Sequence, residues 1–349
     1  MSRMSLLARV FACAVWAAAP AAWPATPAVL EQPALTSPKA LGAVMLAVAR
    51  AGNRLVAVGE RGTILLSDDD GKTWKQAQVS VRTSLTAVQF VDARSGWAVG
   101  HLGVVLKTED GGQTWTRQLD GMQAAALALQ AARQSGDGRA IADAERLVAD
   151  GPDKPFFDLY FENTHTGYIV GAYNLIFKTS DGGTTWQPWQ AHVVNPKGFH
   201  LYGIRAAGGA IYIAGEQGLL LRSIDQGASF VPLESPYKGT WFGLLATHDG
   251  PLIAFGLRGN AFRSDDGGHS WHGIDTGTQS AIAAGAELAD GALVLVSQGG
   301  DLLVSRDRGH SFAPKKSEPL PLAAVAQARD NGLIVAGLRG VKRLTALSQ

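Results

Sequence analysis

Six aspartates recur at a spacing that could serve chemistry: Asp69, Asp110, Asp181, Asp225, Asp266 and Asp307. Each stands in the frame Ser/Thr-x-Asp-x-Gly-x-Thr/Ser-Trp/Phe, from Ser67 to Trp74 in the first copy to Ser305 to Phe312 in the last. Carboxylates in this number suggest acid–base catalysis or a divalent cation, and Asp68-Asp69-Asp70-Gly71 opens like a calcium loop. The downstream Glu that such a loop needs is missing. A carboxylate two residues before a glycine can instead accept bonds from nearby backbone N–H groups and hold a hairpin. The glycine supplies the positive φ, and the aromatic begins the next strand and packs inward. The six aspartates are therefore expected to be structural. His269 and His272 have metal-ligand spacing, but they flank Trp271 and lack third and fourth ligands. Neither a metal nor a cofactor is expected.

The elements that must carry these aspartates follow from their steps of 41, 71, 44, 41 and 41 residues. The frame is the Asp-box, or BNR repeat. Around each copy the unit recurs: an inner strand such as Leu85 to Val91, then a second strand such as Gly96-Trp97-Ala98-Val99-Gly100. A Gly-x-x-Gly turn, a third strand such as Val104 to Thr108 and the Asp-box hairpin follow. Four strands in about 41 residues describe a propeller blade. A seventh unit, Leu322 to Gln327, Leu333 to Gly337 and Gly340 to Leu344, has no Asp-box. Val29 to Ser37 is expected to supply its missing outer strand and so close the edge. The fold class is all-β: a seven-bladed β-propeller with Asp-box hairpins, one domain over residues 26–349.

The step of 71 residues implies an insertion between blades two and three, over about 120–155. Met122 to Arg133 and Arg139 to Val148 are rich in helix formers and are separated by Gly136-Asp137-Gly138, which predicts a helical hairpin. It should lie on the face of the turns between strands two and three, opposite the Asp-boxes, as decoration, lid or docking element.

Residues 1–25 read as a secretory signal peptide. Arg3 and Arg9 precede the short apolar run Val10 to Ala19, and small residues allow cleavage near Ala21 to Ala25. Cys13 fits a lipidation site poorly, because the bulky Phe11 precedes it. The only cysteine of the 349 residues leaves with the leader, so no disulfide is expected. Removing Arg3 and Arg9 leaves 29 basic against 30 acidic residues, a near-neutral balance that does not suggest a nucleic-acid surface. The 42 glycines, about 12 % of the chain, exceed the usual ~7 % and match a turn-rich β protein. The expected location is the periplasm, as a monomer.

The same geometry selects the candidate binding residues. The turns on the mouth face carry Glu60, Arg61, His101, Tyr173, Asn174, Glu216, Gln217, Arg258, Gln298 and Arg339. Entries to the inner strands add Arg82, Asp158, His200, Tyr202 and Trp241. Aromatic and arginine side chains are frequent binding anchors, and arginine pairs bidentately with carboxylate or phosphate.

Gly59-Glu60-Arg61-Gly62-Thr63-Ile64, Gly96 to Gly100 and Thr179 to Trp186 resemble the photosystem II stability/assembly factor family of propellers. The resemblance covers nearly all of the mature chain. It implies a non-enzymatic factor that holds a membrane-protein intermediate through a basic mouth. The chain departs from the photosynthetic pattern in its insertion and in Glu60 and Glu216, which mix with the arginines. The resemblance also extends to exported bacterial proteins, for which an RND-type exporter is a plausible partner. The competing class is a sialidase-like glycoside hydrolase. Sialidases share the Asp-boxes but need an arginine triad, a Tyr nucleophile assisted by Glu, and an Asp acid/base. The mouth does hold Arg61, Arg258, Arg339, Tyr173, Glu60 and Asp158, but the Arg-Ile-Pro signature is absent and the repeats number seven rather than six.

Overall fold

The computed structural model describes residues 26–315 and 320–344. The expected signal peptide, with Arg3, Arg9 and Cys13, lies outside them. The described residues form seven small sheets in chain order, antiparallel except that Gln78–Val79 adds a parallel edge strand beside Thr114–Leu119 in the second. Sheet one is Met45–Ala51, Arg54–Gly59, Ile64–Ser67 and Lys75–Gln76. Its counterparts begin at Leu85–Phe90, Phe156–Phe161, Leu201–Ala207, Trp241–Ala246, Ile282–Glu287 and Leu322–Gln327. Each of these first strands packs against the first strand of the next sheet, and Leu322–Gln327 packs against Met45–Ala51. The sheets thus run round in cyclic order with their first strands innermost.

The second strand of each sheet is apolar on both faces, because it is sandwiched between neighbouring sheets. Gly96–Gly100, Gly167–Gly171, Leu252–Gly256 and Leu333–Gly337 are buried throughout. Such runs read as continuous hydrophobics rather than as an alternation. Between sheets two and three the Trp97 and Phe161 rings stack 3.7 Å apart, and the Trp97 indole N–H donates to the Gly182 carbonyl at 3.1 Å.

Each Asp-box is one small hydrogen-bond cage. In the second copy, Asp110 Oδ1 accepts from the Thr108 hydroxyl (2.8 Å) and the Gln113 and Thr114 amides (2.9 and 3.0 Å). Its Oδ2 accepts from the Thr114 hydroxyl at 2.6 Å. The Gly112 amide donates to the Thr108 hydroxyl, at a φ of 87° that favours glycine. Equivalent bonds surround Asp69, Asp181, Asp225, Asp266 and Asp307. The aromatic mostly precedes the outer strand rather than starting it: Trp74 stands just before Lys75–Gln76 and Trp186 just before Gln187–Pro188. The three adjoining carboxylates at 68–70 diverge. Asp68 pairs with Arg54 and Lys75, Asp69 holds its hairpin, and Asp70 pairs with Arg329.

Two helices fill the segment between Thr114–Leu119 and Phe156–Phe161: α1 (Gly121–Ser135) and α2 (Gly138–Asp150). Asp120 accepts from the Met122 and Gln123 amides while the Gln123 side chain accepts from the Asp120 amide, a capping box. Gly136 ends α1 in the left-handed region, and Asp137 caps α2. Helix α1 packs on the outer strand Gln187–Pro188 and on the turn at His101–Gly103, at the rim of sheets two and three.

The seventh sheet corrects one expectation. It has three strands, Leu322–Gln327, Leu333–Gly337 and Gly340–Leu344, and Val29 to Ser37 does not join it. That segment instead crosses sheets one and two: the Ala34 amide donates to the Val79 carbonyl and the Arg82 amide to the Val29 carbonyl. Pro33 in this segment has no N–H to give a strand ladder, and along this path Ser37 and Leu35 bond the Gln76 side chain instead. Only the next turn, Pro38–Gly42, packs beside Gly340–Leu344.

Replacing Asp110 by Ala leaves the Gln113 and Thr114 donors without their acceptor and should lower unfolding stability by about 1–3 kcal/mol in urea titration. The box carboxyls are also acid sensors. Thr73's hydroxyl holds Asp69 well below its ordinary value, and the Ser270 hydroxyl does the same for Asp266. At Asp110 burial is the largest single influence and works in the opposite direction, but the hydrogen bonds from Thr114, Thr108 and Gln113 together outweigh it and hold the carboxyl below its ordinary value. A depressed folded-state pKa contributes stability that is complete above the unfolded value near 4 and is lost as pH falls through the folded one. The melting temperature should therefore fall steadily below about pH 4. An Asp266→Asn variant should show a lower melting temperature at pH 7 and a shallower acid decline. A parallel decline would show that the boxes do not set acid sensitivity.

Candidate functional site

One bond repeats in all seven sheets and builds the mouth face. The first residue after each second strand donates its amide to the carbonyl just ahead of the inner strand: Glu60 to Val44, His101 to Ser84, Ala172 to Pro155, and Glu216 to His200. Leu257 to Thr240, Gln298 to Ala281 and Leu338 to Pro321 complete the set. The turns are thereby held beside the inner-strand entries. The closing glycine is required by contact as well as by φ. A Cβ on Gly62 would meet the Val81 carbonyl oxygen at 2.2 Å, and one on Gly259 would meet that of Thr278 at 1.9 Å.

The middle residues of five turns sit in the left-handed region without being glycine: Arg61, Leu102, Tyr173, Gln217 and Arg258, with φ between 53° and 58°. Such a residue costs about 1 kcal/mol or more relative to its relaxed conformation. Glycine would remove that cost, so the side chains are kept at the expense of backbone strain.

The carboxylates here are all engaged. Glu60 Oε1 accepts from the Val44 amide at 3.1 Å. Glu216 Oε2 accepts from the His200 amide at 3.3 Å and lies 3.7 Å from His200 Nδ1. Asp158 is buried, and its Oδ2 accepts from the Ile204 amide (3.0 Å) and from Arg205 Nη1 (2.5 Å). The arginines differ. Arg61, Arg258 and Arg339 are exposed, and among the described residues nothing pairs with their guanidinium groups. His101 and Gln298 are likewise exposed turn residues.

Tyr173 is 62 % exposed, with its ring edge-on to His200 at 4.6 Å and Lys154 Nζ 5.4 Å from its centre. The Tyr173 amide donates to His200 Nδ1, and Asn174 accepts from the Asn195 side chain. Tyr202 is half-buried and stacks on Phe157 at 4.8 Å. Burial, with a lesser push from the Glu216 carboxylate, raises its phenol above the ordinary value and keeps it protonated.

Two expected mouth residues are placed elsewhere. Trp241 is fully buried, with its indole N–H on the Ser235 hydroxyl, because it points between sheets four and five rather than into the mouth. Arg82 turns away to clamp the Pro33 carbonyl through Nε and Nη2 and so fastens the N-terminal segment. Arg205, Phe157 and Phe242 join the candidates by contact, Arg205 with Asp158 and the two phenylalanines with Tyr202. Each inner strand bulges at its second position, at Leu46, Thr86, Phe157, Tyr202, Phe242, Ala283 and Ala323. A large-x-small pattern (Met45-Leu46-Ala47, Leu201-Tyr202-Gly203) marks the bulges in the sequence.

The residues do not gather as a sialidase site would. Arg61, Arg258 and Arg339 stand on the turns of sheets one, five and seven, and Tyr173 neighbours a histidine and a lysine rather than a carboxylate. His269 Nε2 lies 2.9 Å from Arg222 Nη1, and among the described residues no three His, Cys, Asp or Glu side chains cluster as metal ligands.

Among known proteins, the family model described as photosynthesis system II assembly factor YCF48 matches residues 73–153 and 148–318. The photosystem II assembly lipoprotein Ycf48 of Synechococcus sp. (strain CC9902) is 28 % identical over 165 residues, 44 % of this chain and 47 % of that one. The chloroplastic photosystem II stability/assembly factor HCF136 of Arabidopsis thaliana is 25 % identical over 169 residues, 46 % of this chain and 42 % of that one. The chain thus spans about half the length of the curated relatives it matches. A solved structure described as YCF48 bound to D1 peptide superposes with a TM-score of 0.66 at 17 % identity, over 94 % of this chain and 100 % of that one. The WD40 β-propeller domain of Doa1 gives 0.66 at 10 % identity, over 91 % of this chain and 97 % of that one. At such identities the likeness is one of fold, and the fold is a β-propeller.

The left-handed turns yield a direct stability prediction. Gln217→Gly relieves strain but adds unfolded-state freedom, so its stability should stay within about 0.5 kcal/mol of the parent. Gln217→Val, β-branched at positive φ, should lose about 1–2 kcal/mol in the same denaturation assay. Equal stability of the two variants would contradict the left-handed assignment.

Proposed function

The chain belongs to the photosynthesis system II assembly factor YCF48 family, and from that premise we propose that it is an exported, non-enzymatic scaffold that holds a segment of an integral-membrane protein complex at its mouth face. In this reading residues 26–349 are one domain. The seven sheets are the seven blades of one propeller, and residues 120–155 are an insertion between blades two and three. The leader-like first 25 residues support export to the periplasm, and bacterial relatives in the family are named as lipoproteins. The mature protein acts as a monomer, as an assembly or accessory factor.

The observation that carries the proposal is the imbalance of partners at the mouth. Glu60, Asp158 and Glu216 are satisfied by the protein's own donors, while the guanidinium groups of Arg61, Arg258 and Arg339 have none among the described residues. A near-neutral chain therefore offers a locally cationic surface. An anionic segment would pair with the arginines, whose guanidinium groups have no partner among the described residues. The D1 peptide bound to a YCF48 relative supports a peptide as the class of ligand. Photosystem complexes and RND-type exporters are the candidate membrane partners.

The test is capture from detergent-solubilised membranes by the tagged mature protein, with identification of the integral-membrane proteins retained. Arg258→Glu combined with Arg339→Glu should reduce retention of a specific membrane protein about tenfold or more, with an unchanged melting temperature. Undiminished retention by that variant would remove the arginines from the docking surface. Turnover of sialosides or other glycosides by the purified protein would replace the scaffold reading with the glycosidase one.

A further inference from the structure

The bulge position is occupied once per sheet, so it can be compared around the ring. Sheets six and seven carry Ala283 and Ala323 there, and sheets one and two carry Leu46 and Thr86. The repeat therefore closes with no more than a methyl group at this position. Three consecutive sheets nevertheless carry rings. Phe157 stacks on Tyr202 at 4.8 Å, and Tyr202 meets Phe242 edge-on at 5.6 Å. His200 continues the series to the exposed Tyr173. These bulge rings are half-buried, and among the described residues the Tyr202 hydroxyl has no partner. At the other end, the turn that carries Arg258 is tied to the entry of the strand that carries Phe242. Leu257, next to Arg258, donates its amide to the Thr240 carbonyl at 3.1 Å, two residues before Phe242.

We propose that this arc is an aromatic cradle for a polypeptide segment that carries an aromatic side chain beside a carboxylate. The inference rests on the docking role above and names the chemistry of what docks. The partner's ring would lie against Tyr202 and Phe242, where aromatic pairs contribute beyond simple burial. Its carboxylate would reach Arg258, whose guanidinium is unpaired. The small bulge residues of sheets six and seven leave the opposite side of the mouth without rings. The ligand is thus held on one side of the ring of sheets rather than on its axis.

The test uses fluorescein-labelled hexapeptides and fluorescence anisotropy with the mature protein. The probe Gly-Phe-Glu-Gly-Phe-Glu should bind about tenfold or more tightly than Gly-Ala-Glu-Gly-Ala-Glu, and replacing its Glu by Gln should weaken it further. Phe242→Ala places at sheet five the residue that sheets six and seven already carry, so it should fold normally, yet it should erase most of the Phe preference. Tyr202→Phe should keep that preference. Equal binding of the Phe and Ala probes, no binding of either, or a preference that survives Phe242→Ala would overturn the cradle. If that happens while Arg258→Glu with Arg339→Glu still abolishes membrane capture, the docking role stands and only the aromatic chemistry falls.

Discussion

Closure of the ring is the constraint from which the other features follow. Every second strand is apolar on both faces, so every sheet needs a neighbour on each side, and the last must find the first. The seam between sheets seven and one is made without a shared hairpin. Arg329 forms two bonds of 3.0 Å to the Asp70 carboxylate, through Nε and Nη2, and the Arg343 guanidinium reaches the Asp70 carbonyl. Arg50 crosses in the other direction to the Gln327 carbonyl. Beneath these bonds Ala57 and Leu65 pack with Ala324 and Ala336 in one buried cluster. Asp70 belongs to the first Asp-box loop, so one hairpin both turns its own sheet and joins the two ends of the chain. Its side chain is only 15 % exposed and is charge-paired with Arg329, and the bidentate arrangement fixes the geometry of the pair.

A closed ring of equal units separates what must repeat from what can vary. The turn-to-entry bond and the bulge recur in every sheet, and a glycine closes the turn in all but sheet three, where Asn174 takes the same positive φ. The side chains presented by the turns and bulges do not recur. Their variation around the ring carries the information of the mouth, with rings on sheets three to five and alanines on sheets six and seven. Asp158 shows how far that freedom extends. It occupies the position that is Ala or Gly in the six other sheets, and the price of a buried carboxylate is met by Arg205 and the Ile204 amide from the adjacent strand.

Much of this was legible in the residues. The Asp-box frame is a local device, so its spacing declared both the hairpins and the period. The helices were equally local, with Asp120 and Gln123 as a capping box and Gly136 as the stop. What escaped depends on contacts distant in sequence. Trp241 reads as an entry residue like Tyr202, but a half-turn of strand orientation puts one between sheets and the other at the mouth. The bulge makes that difference, and it is visible only when inner strands are compared. Arg82 reads as a mouth cation until the N-terminal segment lies across it. The need to close the ring points Val29 to Ser37 toward the seventh sheet. The chain meets that need with arginines and carboxylates instead, and uses the segment to cover sheets one and two.

The two helices bear on the same asymmetry. They stand at the rim of sheets two and three, beside the Tyr173 end of the aromatic series. Gly121, the first residue of α1, lies so close to Gly103 that a Cβ on Gly103 would meet its Cα at 2.6 Å. Just beyond α2, Lys154 is held by Asp150 (3.1 Å) and Asp153 (2.6 Å) and lies over the Tyr173 ring. Farther along, Arg139 donates to the Pro196 carbonyl in the loop that bonds Asn174 and leads to His200. The helical pair therefore touches the His101–Gly103 turn of sheet two and, through Arg139, the loop that leads to His200. A side chain held at positive φ is poised only if its neighbours keep it there. In this geometry the helices buttress one end of the aromatic series.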